Sequence, residues 1–96
     1  MAQEEGKIQK KITNCLVRDG WFVTKLLSTT TSGIPDVYAC KDGKSLFVEV
    51  KTEKGKTSKI QEFRISQLID KGMTVFVSYG YADFLTEYEL YKKTNK

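Results

Sequence analysis

The fold is decided by residues Gly33–Lys51, GIPDVYACKDGKSLFVEVK, in which two apolar runs flank an Asp-Gly pair. Val, Phe and Tyr are typical of strands, and Asp42-Gly43 tolerates the positive φ angles of a two-residue type I′ turn. The stretch therefore predicts a β-hairpin. With this pair at the centre of the turn, Asp36 lies directly opposite Glu49.

The predicted register gathers charged side chains on one face of the hairpin. Because side chains alternate faces along a strand, Asp36, Glu49 and Lys51 share one surface and the opposite surface is apolar. Two carboxylates facing each other repel by up to about 1 kcal/mol, which predicts a cation between them. Oxygen ligands with room for water suit Mg²⁺ or Mn²⁺ better than Zn²⁺. The alternative is that both acids are solvated edge residues, each near an exposed lysine.

The periodicity of the remaining chain predicts an α/β protein with a mixed central sheet flanked by helices. The strand after the second helix is parallel to its neighbour if that helix is a crossover. The predicted elements are, in order, a helix over 3–18, a strand over Trp21–Leu27, the hairpin, a helix from Ser58 to Lys71-Gly72, a strand over Met73–Ser78 and a helix from about Ala82.

Two of these elements carry specific packing expectations. In the second helix, Ser58 and Gln61 have the spacing of a capping box. Its expected buried side consists of Ile60, Phe63, Ile65, Leu68 and Ile69. The C-terminal stretch from Tyr79 to Tyr91 holds four of the five tyrosines, more aromatic surface than one small core hides. A dimer interface there is therefore a rival to core packing.

Length and composition bound the chain to one soluble globular domain over residues 1–96. It has no signal peptide and no apolar run long enough to span a membrane, so we expect a cytoplasmic protein without a membrane partner. Cys15 and Cys40 lie in apolar patterns far apart, which favours buried thiols over a disulfide or a metal pair.

The absence of histidine excludes several chemistries. Ser-His-Asp and Cys-His catalysis, histidine zinc sites and histidine-based nucleases all need that side chain, so carboxylates must carry any metal. Gly55-Lys56-Thr57 suggests a phosphate-binding loop, but that motif needs a glycine where this chain has Val50, so no nucleotide cofactor is expected. The net charge of +4 is compatible with a phosphate-backbone partner without establishing one.

Two polar stretches beside the hairpin are candidates for nucleic-acid contact. The hydroxyl-rich stretch 28–32 can donate to phosphate oxygens, although an ordinary polar loop explains it equally well. The basic, glycine-containing stretch 52–59 is a solvated loop that can touch a nucleic-acid backbone. The candidate contacts are Ser28, Thr30, Ser32, Lys54, Lys56 and Lys59.

Asp36 followed by Glu49-Val50-Lys51 resembles the signature of the PD-(D/E)xK nucleases, and Pro35 preserves the first letter. The GIPD and FVEVKT segments resemble more closely the virus-type replication-repair branch, VRR-NUC, over roughly residues 3–80. The resemblance implies a restriction-endonuclease-like core with the order α-β-β-β-α-β-α.

The same resemblance implies roles for individual residues. Asp36, Glu49 and Lys51 match the catalytic acids and lysine, and Gln61 matches a glutamine that faces the active site. We expect that Gln61 cannot fill this role and the helix cap at all times, and the resemblance favours the role at the site over the cap. The implied metal ligands are Asp36, Glu49, the backbone carbonyl of Val50 and Glu5, with Glu4 as the less favoured alternative to Glu5.

The function implied is a Mg²⁺- or Mn²⁺-dependent endonuclease acting on branched DNA, with four-way (Holliday) junctions first and flaps or nicked duplexes still open. Stand-alone relatives suggest a homodimer and a bacterial or phage-infected host cell. The rival from another class is a non-catalytic nucleic-acid-binding module. A protein-interaction domain that uses the aromatic C-terminus is a third possibility, and it leaves the acidic pair unexplained.

Overall fold

The computed structural model describes residues 5–52 and 54–95, and within these ranges the chain forms three helices and four strands. Their order, α-β-β-β-α-β-α, is the predicted one. The elements are α1 (Glu5–Arg18), β1 (Phe22–Lys25), β2 (Val37–Lys41), β3 (Lys44–Lys51), α2 (Lys59–Asp70), β4 (Thr74–Tyr79) and α3 (Tyr81–Thr94).

The four strands form one mixed sheet in the order β1-β2-β3-β4. The first three strands are antiparallel neighbours, while β4 runs parallel to β3. A parallel pair needs a crossover connection, and α2 supplies it. The expected mixed sheet flanked by helices is therefore confirmed.

The central hairpin has the predicted turn and register. Asp42 and Gly43 adopt φ angles of 53° and 78°, as a type I′ turn requires. Val37 pairs with Val48. Asp36 immediately precedes β2, and extending the same register by one residue places it opposite Glu49.

The hydrophobic core lies on one face of the sheet, beneath α1 and α3. Every third or fourth residue of α1 faces it, since Ile8, Ile12 and Leu16 are buried. Each such side chain stabilises the fold by about 1.5–3 kcal/mol. The sheet contributes the alternate residues Val37, Ala39, Leu46, Val48, Val50 and Phe76. Glu49 and Lys51 point to the other face because they alternate with these residues.

The C-terminal aromatic residues belong mostly to this core. Phe84, Tyr88 and Tyr91 are buried. The Tyr88 hydroxyl accepts a hydrogen bond from Trp21 Nε1 at 2.9 Å and donates to Asp19 at 2.7 Å. The core therefore holds Phe84, Tyr88 and Tyr91, whereas Tyr79 and Tyr81 stay half-buried, so the expectation that these aromatics exceed the capacity of the core is only partly right.

The second helix lies on the opposite face of the sheet and is less buried than predicted. Ser58 caps it and Lys71-Gly72 ends it as expected, but none of its side chains is fully buried. Ile60, Phe63 and Ile69 are exposed, and only Ile65 and Leu68 are half-buried. The expected five-residue buried side is wrong because α2 packs mainly on β4, and no described element covers its outward flank.

Two smaller expectations are corrected. The first strand is shorter than predicted, because Trp21 packs into the core before the strand and Leu27 is exposed beyond it. Cys15 and Cys40 are half-buried free thiols rather than buried ones. Residues 3 and 4 of the predicted first helix lie outside the described part of the chain.

None of the described helices has the length and apolarity that crossing a lipid bilayer requires.

Candidate active site

The candidate site lies at the open end of the hairpin, opposite its turn. Asp36 is placed there because Pro35 is buried and β2 begins at the next residue. Its Oδ2 accepts a hydrogen bond of 2.9 Å from the backbone N–H of Val50. This bond ties the carboxylate of one strand to the backbone of the other and fixes it beside Glu49.

Glu49 is a buried acid, with 1% of its surface exposed. Its Oε2 accepts a hydrogen bond from Gln61 Nε2 at 2.8 Å and lies 3.1 Å from Lys51 Nζ. Its Oε1 is also buried and has no hydrogen-bond partner among the described residues. A carboxylate oxygen without a partner in a buried position is costly, and a positively charged ligand bound there would offset that cost.

The electrostatics of the site oppose ionisation of Glu49. Burial raises the pKa of the Glu49 carboxyl, and the nearby negative charge of Asp36 raises it further. Lys51 acts in the opposite direction by donating to the carboxylate. The repulsion that the hairpin register predicts between the two acids is therefore present.

Gln61 fills both of the roles that the sequence set against each other. Its side-chain Oε1 accepts from the backbone N–H of Ser58 at 3.0 Å, and its backbone N–H donates to Ser58 Oγ at 3.2 Å, which completes the capping box. Its Nε2 donates to Glu49 at the same time. The expectation that Gln61 cannot fill both roles at all times is wrong, because the oxygen and nitrogen of the amide serve different partners.

Glu5 is the first residue of α1 and lies within electrostatic reach of the site, since its charge also raises the pKa of Glu49. Its position in the first helical turn additionally complements the helix dipole. Glu4 lies outside the described residues.

The oxygen donors of the site fit a hard divalent cation that keeps part of its water shell better than an ion enclosed entirely by protein ligands. Across residues 5–52 and 54–95 no group of three or more His, Cys, Asp or Glu side chains is close enough to enclose an ion. Mg²⁺ usually keeps several waters and takes one or two carboxylates. The Asp36–Glu49 pair, with its unpartnered oxygen, meets that requirement.

The hydroxyl-rich loop is exposed beside the N-terminal part of α2. Ser28, Thr30 and Ser32 are all exposed. The carbonyl of Ser32 accepts a hydrogen bond of 2.7 Å from Arg64 Nε, which fixes the loop to α2. The sequence analysis did not identify Arg64. The signal available was its spacing, because a residue three positions after Gln61 is its neighbour on the helix surface.

The three candidate lysines of the next loop are exposed, and they lie in the connection between Lys51 and Gln61. The structure therefore brings Lys54 and Lys56, in this loop, and Lys59, the first residue of α2, to the end of the sheet where the carboxylates lie.

A mixed sheet with this topology, carrying an acid before one hairpin strand and Glu-x-Lys at the end of the other, defines a nuclease domain of the PD-(D/E)xK type. The sequence model of the VRR-NUC domain matches residues 2–82. A solved structure described as a VRR_NUC domain superposes with a TM-score of 0.82 at 30% sequence identity, over 92% of this chain and 97% of that chain. None of the curated proteins matches the sequence significantly. The chain belongs to the VRR-NUC family, and the resemblance seen in the sequence is confirmed.

Proposed function

We propose that this nuclease domain is a metal-dependent endonuclease that hydrolyses phosphodiester bonds in branched DNA, with four-way junctions as its first substrate, and that it acts as a homodimer. The observation that carries the proposal is the buried, unpartnered Oε1 of Glu49 beside Asp36 and Lys51. An exposed acidic pair on a strand edge would leave no such orphaned oxygen.

The proposed ligands for Mg²⁺ or Mn²⁺ are Asp36, Glu49 and the backbone carbonyl of Val50, and Glu5 would reach the ion through a bound water, since no three acidic side chains of residues 5–52 and 54–95 are close enough to hold an ion together. A bound ion would neutralise charge on the scissile phosphate and acidify the attacking water. Gln61 holds the Glu49 carboxylate in place through its 2.8 Å hydrogen bond.

Lys51 is the proposed catalytic cation. Its ammonium orients the attacking water and offsets the negative charge that develops on the phosphate oxygens. The water oxygen forms a bond to phosphorus as the P–O3′ bond breaks, and the 3′ oxygen takes up a proton. The products are a 5′-phosphate and a 3′-hydroxyl.

The small size of the chain favours recognition of DNA structure over sequence. Specific base readout needs a helix or ribbon that enters the major groove and carries several base-contacting side chains. Of the described helices, α1 and α3 cover the core face, and α2 positions Gln61 at the site. A branch point with two equivalent strands instead suits a protein with two symmetry-related sites.

The homodimer is supported by an apolar surface that we call the open face, made of Phe22, Tyr38, Phe47, Ile60 and Phe63. Phe22, Tyr38 and Phe47 lie on the side of the sheet that carries Glu49, where α2 covers mainly β4. Phe22 and Phe63 are 63% and 55% exposed. Tyr38 and Phe47 are half-buried and pack against each other with ring centroids 5.3 Å apart.

A second copy of the chain is the proposed occupant of the open face. A standard interface covers about 800 Å² per partner, about an eighth of the 6245 Å² surface of this chain. The β1 strand at the edge of the sheet borders the open face, so a two-fold axis there would also protect an exposed strand edge.

The dimer is tested by comparing Phe63→Asp with Leu90→Asp. Leu90 is a matched control because it is equally apolar, 64% exposed, and lies in the aromatic C-terminal helix where the sequence placed a possible interface. We expect light scattering to give a dimer for the wild type and Leu90→Asp, and a monomer for Phe63→Asp. Dissociation by Leu90→Asp alone would move the interface to α3, and a monomeric wild type would remove the dimer from the proposal.

Catalysis is tested by incubating labelled four-way junction, flap, single strand and linear duplex with the protein in Mg²⁺, Mn²⁺ or EDTA. We expect metal-dependent, symmetric nicking of the junction by the wild type. Lys51→Ala should lower the rate by about 10²–10³-fold, as loss of one group that stabilises the transition state does. Glu49→Ala should give no detectable product.

The other outcomes discriminate between the alternatives. Cleavage of flaps or single strands in place of junctions would keep the chemistry and overturn the substrate. Binding without cleavage in any metal, unchanged in both variants, would leave a non-catalytic nucleic-acid-binding module. Absence of DNA binding even at low salt would favour an interaction domain.

A further inference from the structure

The positive charge of the chain is concentrated on one helix. The exposed side of α1 carries Lys7, Lys10, Lys11 and Arg18, and Glu5 is the one acid in its sequence. With Glu5 counted, α1 has a net charge of +3, which is most of the net charge of +4 of the chain. We call the four cations the α1 stripe.

The α1 stripe has the geometry of a backbone-binding surface. Lys10 and Lys11 follow Lys7 by three and four residues, and Arg18 follows Lys11 by seven, which places the four on one side of a helix, away from the buried Ile8, Ile12 and Leu16. From Lys7 to Arg18 the helix rises by about 16 Å, which corresponds to roughly five nucleotides of one DNA strand at about 3.4 Å each.

The stripe begins beside the candidate active site. Glu5, two residues before Lys7, lies close enough to Glu49 to affect its protonation. At the seam between α1 and α3, the charge of Arg18 acts on Tyr81, and Lys11 Nζ lies 5.9 Å from the centre of the Tyr81 ring. Two of the four cations therefore lie near the same tyrosine of α3.

Three lysines around the cavity at the hairpin turn are engaged with acceptors of the protein. Lys41 donates to the carbonyl of Asp19, and Lys44 donates to that of Asn95 at 2.7 Å. Lys92 lies 3.1 Å from a carboxylate oxygen of Glu89. These three lysines are spread over three different elements, whereas the α1 stripe lies along one helix.

We infer that the α1 stripe binds the phosphate backbone of a duplex DNA arm as it leaves the active site, a role separate from the loop contacts at 28–32 and 54–59. The inference rests on the proposed function for the identity of the polymer. Phosphate contacts of this kind position the substrate without reading its sequence. The stripe therefore supplies affinity and orientation, and it takes no part in the chemical step.

The test compares two variants that each remove three positive charges. Lys10→Gln/Lys11→Gln/Arg18→Gln disrupts the stripe, and Lys44→Gln/Lys71→Gln/Lys93→Gln removes the same charge from scattered exposed positions. Binding to a 30-base-pair duplex and to a four-way junction is measured by fluorescence anisotropy in EDTA between 50 and 200 mM salt, and both variants are checked for an unchanged thermal midpoint.

The slope of log K against log salt is negative, and we expect the stripe variant to make it shallower by about 2.7. Each duplex contact that is lost reduces the magnitude of the slope by about 0.9. The scattered variant should change it by less than about one. With Mg²⁺ the stripe variant should lower kcat/KM about tenfold or more while kcat at saturating junction stays unchanged.

Equal slopes for the two variants, or a loss confined to kcat, would overturn the inference. Failure of the proposed function gives a different pattern. If the wild type binds DNA with a salt slope that depends on the stripe but never cleaves it, the proposed role of the stripe stands and the proposed nuclease activity is rejected.

Discussion

At the scale of single residues, the site depends on the two ends of one amide. Gln61 Oε1 closes the capping box of α2 while Nε2 holds Glu49. The start of the helix and the orientation of the Glu49 carboxylate are thereby joined through one side chain. The contributions of Gln61 to stability and to activity can be measured apart only with variants that remove one of its two contacts and keep the other.

Gln61→Glu and Ser58→Ala provide that separation. Gln61→Glu keeps an oxygen for the backbone N–H of Ser58 but sets a carboxylate against Glu49, so we expect the thermal midpoint to fall and the cleavage rate to drop about 10–100-fold, as for other residues that orient metal ligands. Ser58→Ala removes only the hydroxyl of the cap, so it should cost about 1 kcal/mol of unfolding free energy and leave kcat unchanged.

Chemical denaturation and junction cleavage measure both quantities. An equal loss of activity in Ser58→Ala would mean that the helix start, rather than the hydrogen bond to Glu49, controls the site.

These residues also show which parts of the site the sequence could predict. Asp36, Glu49 and Lys51 come together through a short hairpin, whose register follows from local turn chemistry and alternation. The double role of Gln61 and the anchoring role of Arg64 could not be predicted in the same way. Both depend on where α2 lies over the sheet, which no local pattern specifies.

At the scale of elements, the hydroxyl-rich loop and α2 form one unit. Arg64 donates to the carbonyl of Ser32, and Gly33 adopts a φ of 83°. A Cβ atom added at Gly33 would lie 2.6 Å from the carbonyl oxygen of Ile60, so the loop approaches the helix backbone more closely than any other residue type permits. The candidate phosphate contacts are held in place by this approach.

Gly33→Ala tests this approach against Gly43→Ala. Both positions have positive φ, but Gly43 has no neighbouring atom within 4 Å of an added Cβ. We expect Gly43→Ala to cost about 1 kcal/mol of conformational strain. Gly33→Ala should cost about 2–3 kcal/mol or more, because the steric contact adds to that strain.

Urea unfolding of both variants measures the difference. Equal costs would mean that the loop moves away from α2 without penalty, and the loop would then not hold its hydroxyl groups in place.

The second helix, α2, shows how much the spacing of apolar residues can predict. The apolar positions of α2 correctly predicted a helix between Ser58 and Gly72, and they overestimated its burial. An apolar pattern shows which residues favour burial, whereas the neighbouring elements determine which of them are covered within one chain. The C-terminal aromatics give the opposite case, since the core holds more of them than composition suggested.

At the scale of the whole molecule, the core and the site lie on opposite faces of one sheet and impose opposite demands. The core face is apolar from α1 to α3, whereas the other face keeps a buried acid beside a second acid. The fold therefore carries an electrostatic cost at its active end that a cation would relieve. We therefore expect the free energy of unfolding to depend on pH and, if the proposed ion binds, on metal.

The sign of the pH dependence follows from the raised pKa of Glu49. A carboxyl whose pKa is higher in the folded than in the unfolded state stabilises the fold at low pH, and that contribution is lost as the pH rises through the raised pKa. Glu87, whose pKa burial also raises, acts in the same direction. The difference between the wild type and Glu49→Gln therefore isolates Glu49.

We expect the metal-free wild type to lose more stability than Glu49→Gln between about pH 4 and pH 7, where carboxyl groups with raised pKa values titrate. At pH 7, Mg²⁺ at ten times its Kd should stabilise the wild type by about 1.4 kcal/mol, on the order of 5–10 °C in Tm for a chain of this size.

Glu49→Gln should show no such shift, whereas Asp70→Asn, at the exposed far end of α2, should retain it. Differential scanning fluorimetry without DNA measures all three proteins. An equal Mg²⁺ shift in Glu49→Gln would place the ion elsewhere, because a ligand stabilises the fold only through groups that bind it in the folded state.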